Sequence, residues 1–89
     1  GSCYKMNRNG KKTVYLHVSP LIAQKGKELK GSEHLFIKDT GEKFTKATII
    51  VDGKFNGKKA KLEKEDGQYK ITLPEGMSWD KWDTVIKLQ

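Results

Sequence analysis

Short runs in which apolar and polar residues alternate cover most of this chain, and dipeptides that combine Asp or Asn with Gly separate several of them. In residues 13–18, Val14, Leu16 and Val18 alternate with polar or amphipathic neighbours, and Ile71 and Leu73 belong to a similar run later in the chain. A period of two places successive side chains on opposite faces, so each run is typical of a strand with one buried face. The pattern therefore favours a fold built from strands.

The alternation predicts six strands, over residues 13–18, 34–38, 46–51, 58–64, 68–73 and 83–88. The Asp-Gly and Asn-Gly pairs at 52–53, 56–57 and 66–67 tolerate the positive φ angles of tight turns, so residues 46–73 are predicted to form a three-stranded meander. The last two strands are predicted to form a hairpin-like return. Residues 21–32 fit a short helical turn and an irregular crossover equally well, and are interpreted as a loop.

These elements predict an all-β fold, a small antiparallel two-sheet β-sandwich of the immunoglobulin-like kind with about six to eight strands. A small closed barrel is the alternative, because the apolar pattern does not say whether a sheet closes. The 89 residues suffice for one domain with a single modest core. Residues 13–89 are assigned to that domain, and residues 1–12 to a tag remnant and flanking segment.

The net charge of +7 raises the question of a polyanionic partner. The basic residues are scattered, and 17 of the 18 are lysine, whereas Arg8 alone offers the guanidinium fork that favours bidentate contacts with phosphates and bases. Solubilising surface lysines are the preferred interpretation, and nucleic acid is not the expected partner. No apolar run approaches the length of a membrane span, and no signal peptide is visible.

The residues that could support catalysis are not clustered in the sequence. His17 and His34 lie on separate predicted strands, without a second ligand at metal-binding spacing. A catalytic triad could be assembled from Ser19, His17 and Asp39, but the sequence contains no nucleophile elbow to support it. The single cysteine, Cys3, cannot form an internal disulfide. The sequence therefore predicts no catalytic residue, no metal site and no cofactor.

Two tryptophans three residues apart, Trp79 and Trp82, form the most distinctive aromatic group, with Tyr69 nearby in the sequence. Exposed tryptophan rings stack on the C–H faces of sugars, so all three side chains are candidates for carbohydrate contact. The competing interpretation is that the rings fill the end of the sandwich. That interpretation is favoured for Trp82, which lies in phase with the last strand, and less strongly for Trp79.

Four segments, TVYLHV at 13–18, KATIIVDGK at 46–54, ITLP at 71–74 and DTVIKL at 83–88, resemble the C-terminal β-sandwich of bacterial α-L-fucosidases. The resemblance runs over most of residues 12–89. It implies a two-sheet antiparallel domain that follows a catalytic barrel, with the nucleophile and the acid/base in the barrel. The segment from Leu21 to Phe44 departs most from this pattern.

The resemblance implies a non-catalytic accessory domain of a secreted or periplasmic glycoside hydrolase. Its expected partner is the catalytic domain of the same parent chain, with glycan as a further candidate. A second hypothesis, motivated by the charge of +7, is a free-standing basic module that binds an acidic partner such as a polyanion, a nucleic acid or a protein.

Overall fold

The computed structural model describes residues 5–10, 13–19, 34–79 and 83–89. In this part of the chain all regular structure is β. The seven strands are β1 (Lys5–Asn9), β2 (Thr13–Val18), β3 (His34–Lys38), β4 (Ala47–Ile50), β5 (Lys59–Glu65), β6 (Gln68–Thr72) and β7 (Thr84–Leu88). Six of them correspond to the six strands that the alternation predicts, and the bounds of β2 and β3 agree residue for residue.

The strands pair in the order β1-β2-β7-β4-β5-β6-β3, and every pairing is antiparallel. The strand β5 joins the two halves of this curled sheet. Its first two residues pair with β4, at Ala47↔Ala60 and Thr48↔Lys59, and its remaining residues pair with β6. The last strand, β7, lies between β2 and β4 in the middle of one half.

The predicted all-β antiparallel fold and the meander of β4, β5 and β6 are confirmed. The seven described strands form one continuous curled sheet, so no second, separately paired sheet is present among them. The prediction that the last two strands form a hairpin-like return is wrong, because β6 pairs with β5 and β3 whereas β7 pairs with β2 and β4. The predicted loop at 21–32 lies outside the described residues.

Residues 5–9 were expected to flank the domain, and instead they form β1 at one end of the strand order. All five residues are in register with β2, from Lys5↔His17 to Asn9↔Thr13. Met6 is the only apolar residue in this strand, and it packs partly buried against the core. A single apolar side chain gives no alternation to detect, and backbone pairing with β2 determines the strand.

The core lies on the inner face of the curled sheet. Its fully buried members come from both halves and include Leu16, Ile37, Ile49, Ile71, Ile86, Leu88 and Trp79. Leu16, Ile86 and Ile49 lie side by side on β2, β7 and β4 in the register. Burying one such side chain stabilises the fold by about 1.5–3 kcal/mol relative to leaving it exposed.

The turn between β5 and β6 shows why the sequence places Asp-Gly there. Asp66 has φ of 42° and Gly67 has φ of 79°, and Asp66 is the only non-glycine residue with positive φ in the described segments. Two successive positive φ values are those of a type I′ turn, whose twist matches that of the flanking strands. This turn sets the register of β5 and β6, from Glu65↔Gln68 to Lys61↔Thr72.

Candidate functional site

The structure places two of the three carbohydrate-contact candidates inside the core. Trp79 has 0% of its surface exposed and Tyr69 has 3%. A buried ring offers no face on which a sugar could stack, so the structural interpretation applies to both side chains. Trp82 lies outside the described residues, and the expectation attached to it stays a prediction.

Trp79 is buried in an unusual way, because its indole Nε1 has no hydrogen-bond partner in the described structure. The hydroxyl of the preceding residue, Ser78, is likewise buried without a partner. The backbone just before them is anchored, since the N–H of Met77 donates to the carbonyl of Pro74 at 3.1 Å. Trp79 therefore contributes to the core through its apolar area rather than through its polar atom.

Tyr69 has a structural role that the sequence pattern did not reveal. Its hydroxyl donates to the backbone carbonyl of Glu42 at 2.6 Å and accepts from the backbone N–H of Phe44 at 3.2 Å. The Phe44 ring lies 5.6 Å from the Tyr69 ring in a tilted arrangement. One side chain on β6 thus satisfies two backbone groups of the connection between β3 and β4.

The same connection carries two ion pairs. The Glu42 carboxylate contacts the guanidinium of Arg8 on β1 and accepts from the Thr40 hydroxyl. Because Tyr69 on β6 donates to the backbone carbonyl of Glu42, Glu42 connects β1, at one end of the strand order, with β6, the strand next to the other end. Asp39 pairs with Lys64 on β5, with 3.0 Å between Oδ2 and Nζ, and its backbone N–H donates to the carbonyl of Gly67.

These contacts shift the pKa values of both carboxyl groups. The pKa of Asp39 lies below its ordinary value of 3.8, first because the backbone N–H of Gly41 donates to the carboxylate and then because Lys64 is adjacent. The pKa of Glu42 lies below its ordinary value of 4.5, first because Thr40 donates to it and then because Arg8 pairs with it. The pKa of Lys64 is raised by the same contact with Asp39. The contacts that cause these shifts hold the connection between β3 and β4 in place.

The histidines do not converge. His17 is exposed on β2, whereas His34 lies on β3, where its Nδ1 is 3.0 Å from the hydroxyl of Thr72. Across the described ranges, no group of three or more His, Cys, Asp or Glu side chains is placed to hold a metal ion. These same ranges contain no helix with the length and apolar character that a membrane crossing requires.

The most distinctive surface is the outer face of β1, β2, β7 and β4. At its centre Val85 lies opposite both His17 and Ile50 in the register, and Tyr15 lies opposite Lys87. Ile50 is 40% exposed, and Val85 and Tyr15 are half-buried. Lys5 and Lys87 lie on these strands, Lys46 directly precedes β4, and Lys59, the first residue of β5, is in register with Thr48. The strand residues of this surface, called the lysine-bearing face below, include no carboxylate, and the exposed Asp52 and Asp83 lie just beyond β4 and β7.

The outer face of β3, β6 and β5 differs in charge. Phe36, 45% exposed, is in register with Lys70, which lies opposite Glu63. Lys61 lies 3.9 Å from the Glu63 carboxylate. Positive and negative side chains therefore alternate on this surface, called the mixed-charge face below, and much of its charge is balanced locally.

The hydroxyl of Tyr69 is expected to contribute measurably to stability. The Tyr69→Phe variant should lose about 1–3 kcal/mol of unfolding free energy, because the buried N–H of Phe44 and the carbonyl of Glu42 lose their partner. Urea unfolding followed by circular dichroism measures this loss. Tyr15→Phe, on the lysine-bearing face, is the matched control and should change stability by no more than about 0.5 kcal/mol. Equal stability of the two variants would refute the anchoring role of Tyr69.

The two carboxylates also predict the direction of acid sensitivity. Each has a lower pKa in the folded chain than its ordinary value, so its stabilising contribution is present above that value and is lost as pH falls towards the folded pKa. The midpoint of thermal unfolding should therefore fall as the pH is lowered from about 5 to about 3. A double variant, Asp39→Asn with Glu42→Gln, should show a shallower fall, whereas Asp52→Asn, at an exposed turn, should follow the parent profile. Parallel profiles for the parent and the double variant would contradict this account.

Comparison of the chain with protein-family models, with curated proteins and with solved structures finds no match.

Proposed function

We propose that this chain is a non-catalytic accessory domain of a secreted or periplasmic carbohydrate-active enzyme, similar to the C-terminal β-sandwich of bacterial α-L-fucosidases. Its role is structural: it packs against the catalytic domain of the same parent chain. The observation that carries the proposal is the resemblance in the four segments at 13–18, 46–54, 71–74 and 83–88.

The placement of these segments in the fold supports the proposal. Three of them contain β2, β4 and β7, which are neighbours in the sheet, and the fourth covers the end of β6. Each supplies fully buried side chains, among them Leu16, Ile49, Ile71 and Ile86. The segments that carry the resemblance therefore belong to the framework of the domain.

The arrangement of charged groups also supports a structural role. The two carboxylates with lowered pKa, Asp39 and Glu42, are held by cations and hydrogen bonds that connect separate strands. Groups that act as a general acid or base need a pKa near the working pH, whereas these shifts lead away from it. Stabilising ion pairs account for both groups.

The test compares the isolated chain with its parent protein. The purified 89-residue chain should not hydrolyse a chromogenic fucoside, and the parent protein should. Removing residues 13–89 from the parent should lower the thermal midpoint of the remaining catalytic domain, because that domain loses a packed surface. Hydrolysis by the isolated chain would overturn the proposal, as would an unchanged midpoint in the truncated parent.

The glycan-contact part of the proposal now depends on Trp82. Fucosylated oligosaccharides should produce chemical-shift changes in NMR spectra of the parent chain, and Trp82→Ala should abolish them. Tyr15→Ala, which removes an aromatic ring from the sheet surface, is the control. Unchanged binding by the Trp82→Ala variant, or no shifts with any glycan tested, would eliminate this part and leave the structural role untouched.

A free-standing basic module is the second candidate, and the lysines on and beside the lysine-bearing face, at Lys5, Lys46, Lys59 and Lys87, favour it. Binding to a polyanion releases counterions, so affinity should fall steeply as salt increases. Retention of the isolated chain on a heparin column with strong salt dependence would support this candidate. Elution without retention at low salt would exclude it.

A further inference from the structure

We infer that β1 is a detachable strand, which leaves and rejoins the sheet while the other six described strands stay folded. The side of β2 that β1 covers, called the β2 edge below, is then a strand-binding site. It accepts an extended peptide with an apolar side chain and an arginine two residues further on. This property belongs to the chain itself and does not depend on the proposed function.

The position of β1 in the sheet allows it to separate. It lies at one end of the strand order and pairs with β2 alone. The pairings from β2 through β7, β4, β5 and β6 to β3 do not involve β1, so they persist when it leaves. Its departure exposes backbone N–H and C=O groups along the β2 edge, and such a row of groups is a template for another strand.

The packing of β1 favours its opening, as the strand at the other end of the order shows by contrast. Leu35 and Ile37 of β3 are both buried in the core. In β1, Met6 is the only apolar side chain and is partly buried. The exposed side chains of β1 include Lys5, Asn7 and Arg8. Local opening is easiest where few apolar side chains are buried, so β1 opens far more readily than β3.

Two side chains hold β1 against the rest of the domain. Met6 and Arg8 are two residues apart and share one side of the strand, in register with the buried Leu16 and Val14. Met6 packs against the core, and the Arg8 guanidinium contacts the Glu42 carboxylate. The β2 edge therefore recognises an apolar side chain and a guanidinium at a spacing of two, because it holds β1 in this way.

Glu42 remains beside the β2 edge when β1 leaves. Its backbone carbonyl accepts from the hydroxyl of Tyr69 on β6, and its carboxylate accepts from the Thr40 hydroxyl. Neither contact involves β1. A carboxylate that has lost its cation, next to an unpaired strand edge, favours a basic segment over an acidic one.

Native-state hydrogen exchange, followed by NMR on the full 89-residue chain, tests the opening. Amides of β1 that bond to β2 should exchange at least about tenfold faster than the protected amides of β3 and β7. Glu42→Gln, which keeps the shape and removes the charge, should accelerate the β1 amides about two- to fivefold further. Glu63→Gln, on the mixed-charge face, is the matched control and should leave their rate unchanged.

Two results of this experiment would contradict the inference. Equal protection of β1 and β3 would show that β1 opens only when the whole domain unfolds, and would refute detachment. The same β1 exchange rate in Glu42→Gln as in Glu63→Gln would refute the role of the Arg8–Glu42 pair in holding the strand.

Peptide binding tests the β2 edge. A double variant of the full chain, Met6→Asp with Arg8→Glu, removes both contacts and should keep β1 detached. A peptide of residues 5–9 with blocked termini should bind this variant and shift the NMR signals of β2 and Glu42. The same peptide with the Arg8→Glu change should not bind. The parent chain should bind the first peptide at least about tenfold more weakly, because its own tethered β1 competes at a high effective concentration.

The peptide results separate backbone pairing from side-chain recognition. Binding of the arginine peptide alone supports the site as stated. Equal binding of both peptides would overturn the selection of arginine, and binding of neither would overturn the site. Circular dichroism checks that the double variant is folded. Arg8→Glu alone replaces it if it is not, and hydrogen exchange in the parent chain tests detachment without any variant.

Discussion

Replacing Trp79 by alanine is expected to lower the free energy of unfolding by about 3–5 kcal/mol, the usual loss when a large aromatic side chain is removed from a core. Trp79 is fully buried and belongs to the same cluster as the strand residues of both halves. A domain of this size has a total stability of only about 5–15 kcal/mol, so the variant should lose a large fraction of its folded population on mild heating. Urea unfolding followed by circular dichroism gives the difference.

Trp79→Phe is the matched control for this prediction. It retains an aromatic ring but removes the indole N–H, which is buried without a partner and whose desolvation costs about 1–3 kcal/mol. Removing the buried N–H recovers that cost and offsets part of the stability lost with the smaller ring. Trp79→Phe should therefore be clearly more stable than Trp79→Ala. If Trp79→Ala were as stable as the parent chain, the ring would not belong to the core, and the carbohydrate-contact hypothesis for Trp79 would return.

Ile86→Ala is expected to cost about 2–5 kcal/mol, the range for deleting a buried isoleucine where the surroundings cannot collapse. Ile86 is fully buried and lies between Leu16 on β2 and Ile49 on β4 in the register, so the cavity opens at the centre of one half of the sheet. The measurement is the unfolding free energy in urea.

Ile50→Ala provides the same chemical change at a position that is 40% exposed on the outer face. In the isolated chain it should alter stability by no more than about 0.5 kcal/mol. The difference between the stability losses of Ile86→Ala and Ile50→Ala measures the effect of burial on the same side chain. Similar losses for both variants would show that Ile50 is not a surface residue in solution.

Local pattern was sufficient to predict most of the strands, because burial on one face leaves a period of two in the sequence. It identified β2, β3 and β6 through side chains such as Leu16, Ile37 and Ile71, which are all buried. It missed β1, where Met6 is the only apolar residue and pairing with β2 forms the strand. The strand order could not be predicted in the same way, because the hydrophobic pattern of β6 and β7 does not indicate which strands they pair with.

The contacts of the candidate-site residues could not be predicted from the local pattern either. Tyr69 is visible in the sequence as an apolar position of a strand, but its hydroxyl binds backbone groups of Glu42 and Phe44, 27 and 25 residues away. The Arg8–Glu42 and Asp39–Lys64 pairs likewise join distant segments. Such partners leave no signal in a single sequence, because their spacing depends on how the whole sheet curls. The lysine-bearing face became recognisable only once the register placed β2, β7 and β4 side by side.

The central position of β7 has a consequence for how this chain is made. It is the last described strand, yet it lies between β2 and β4, so Leu16 and Ile49 have no partner between them until Ile86 has been synthesised. The meander of β4, β5 and β6 pairs only neighbours along the chain and can form as it leaves the ribosome. In the other half, β1 and β2 can also pair early, but β2 and β4 have no strand between them until β7 has been synthesised.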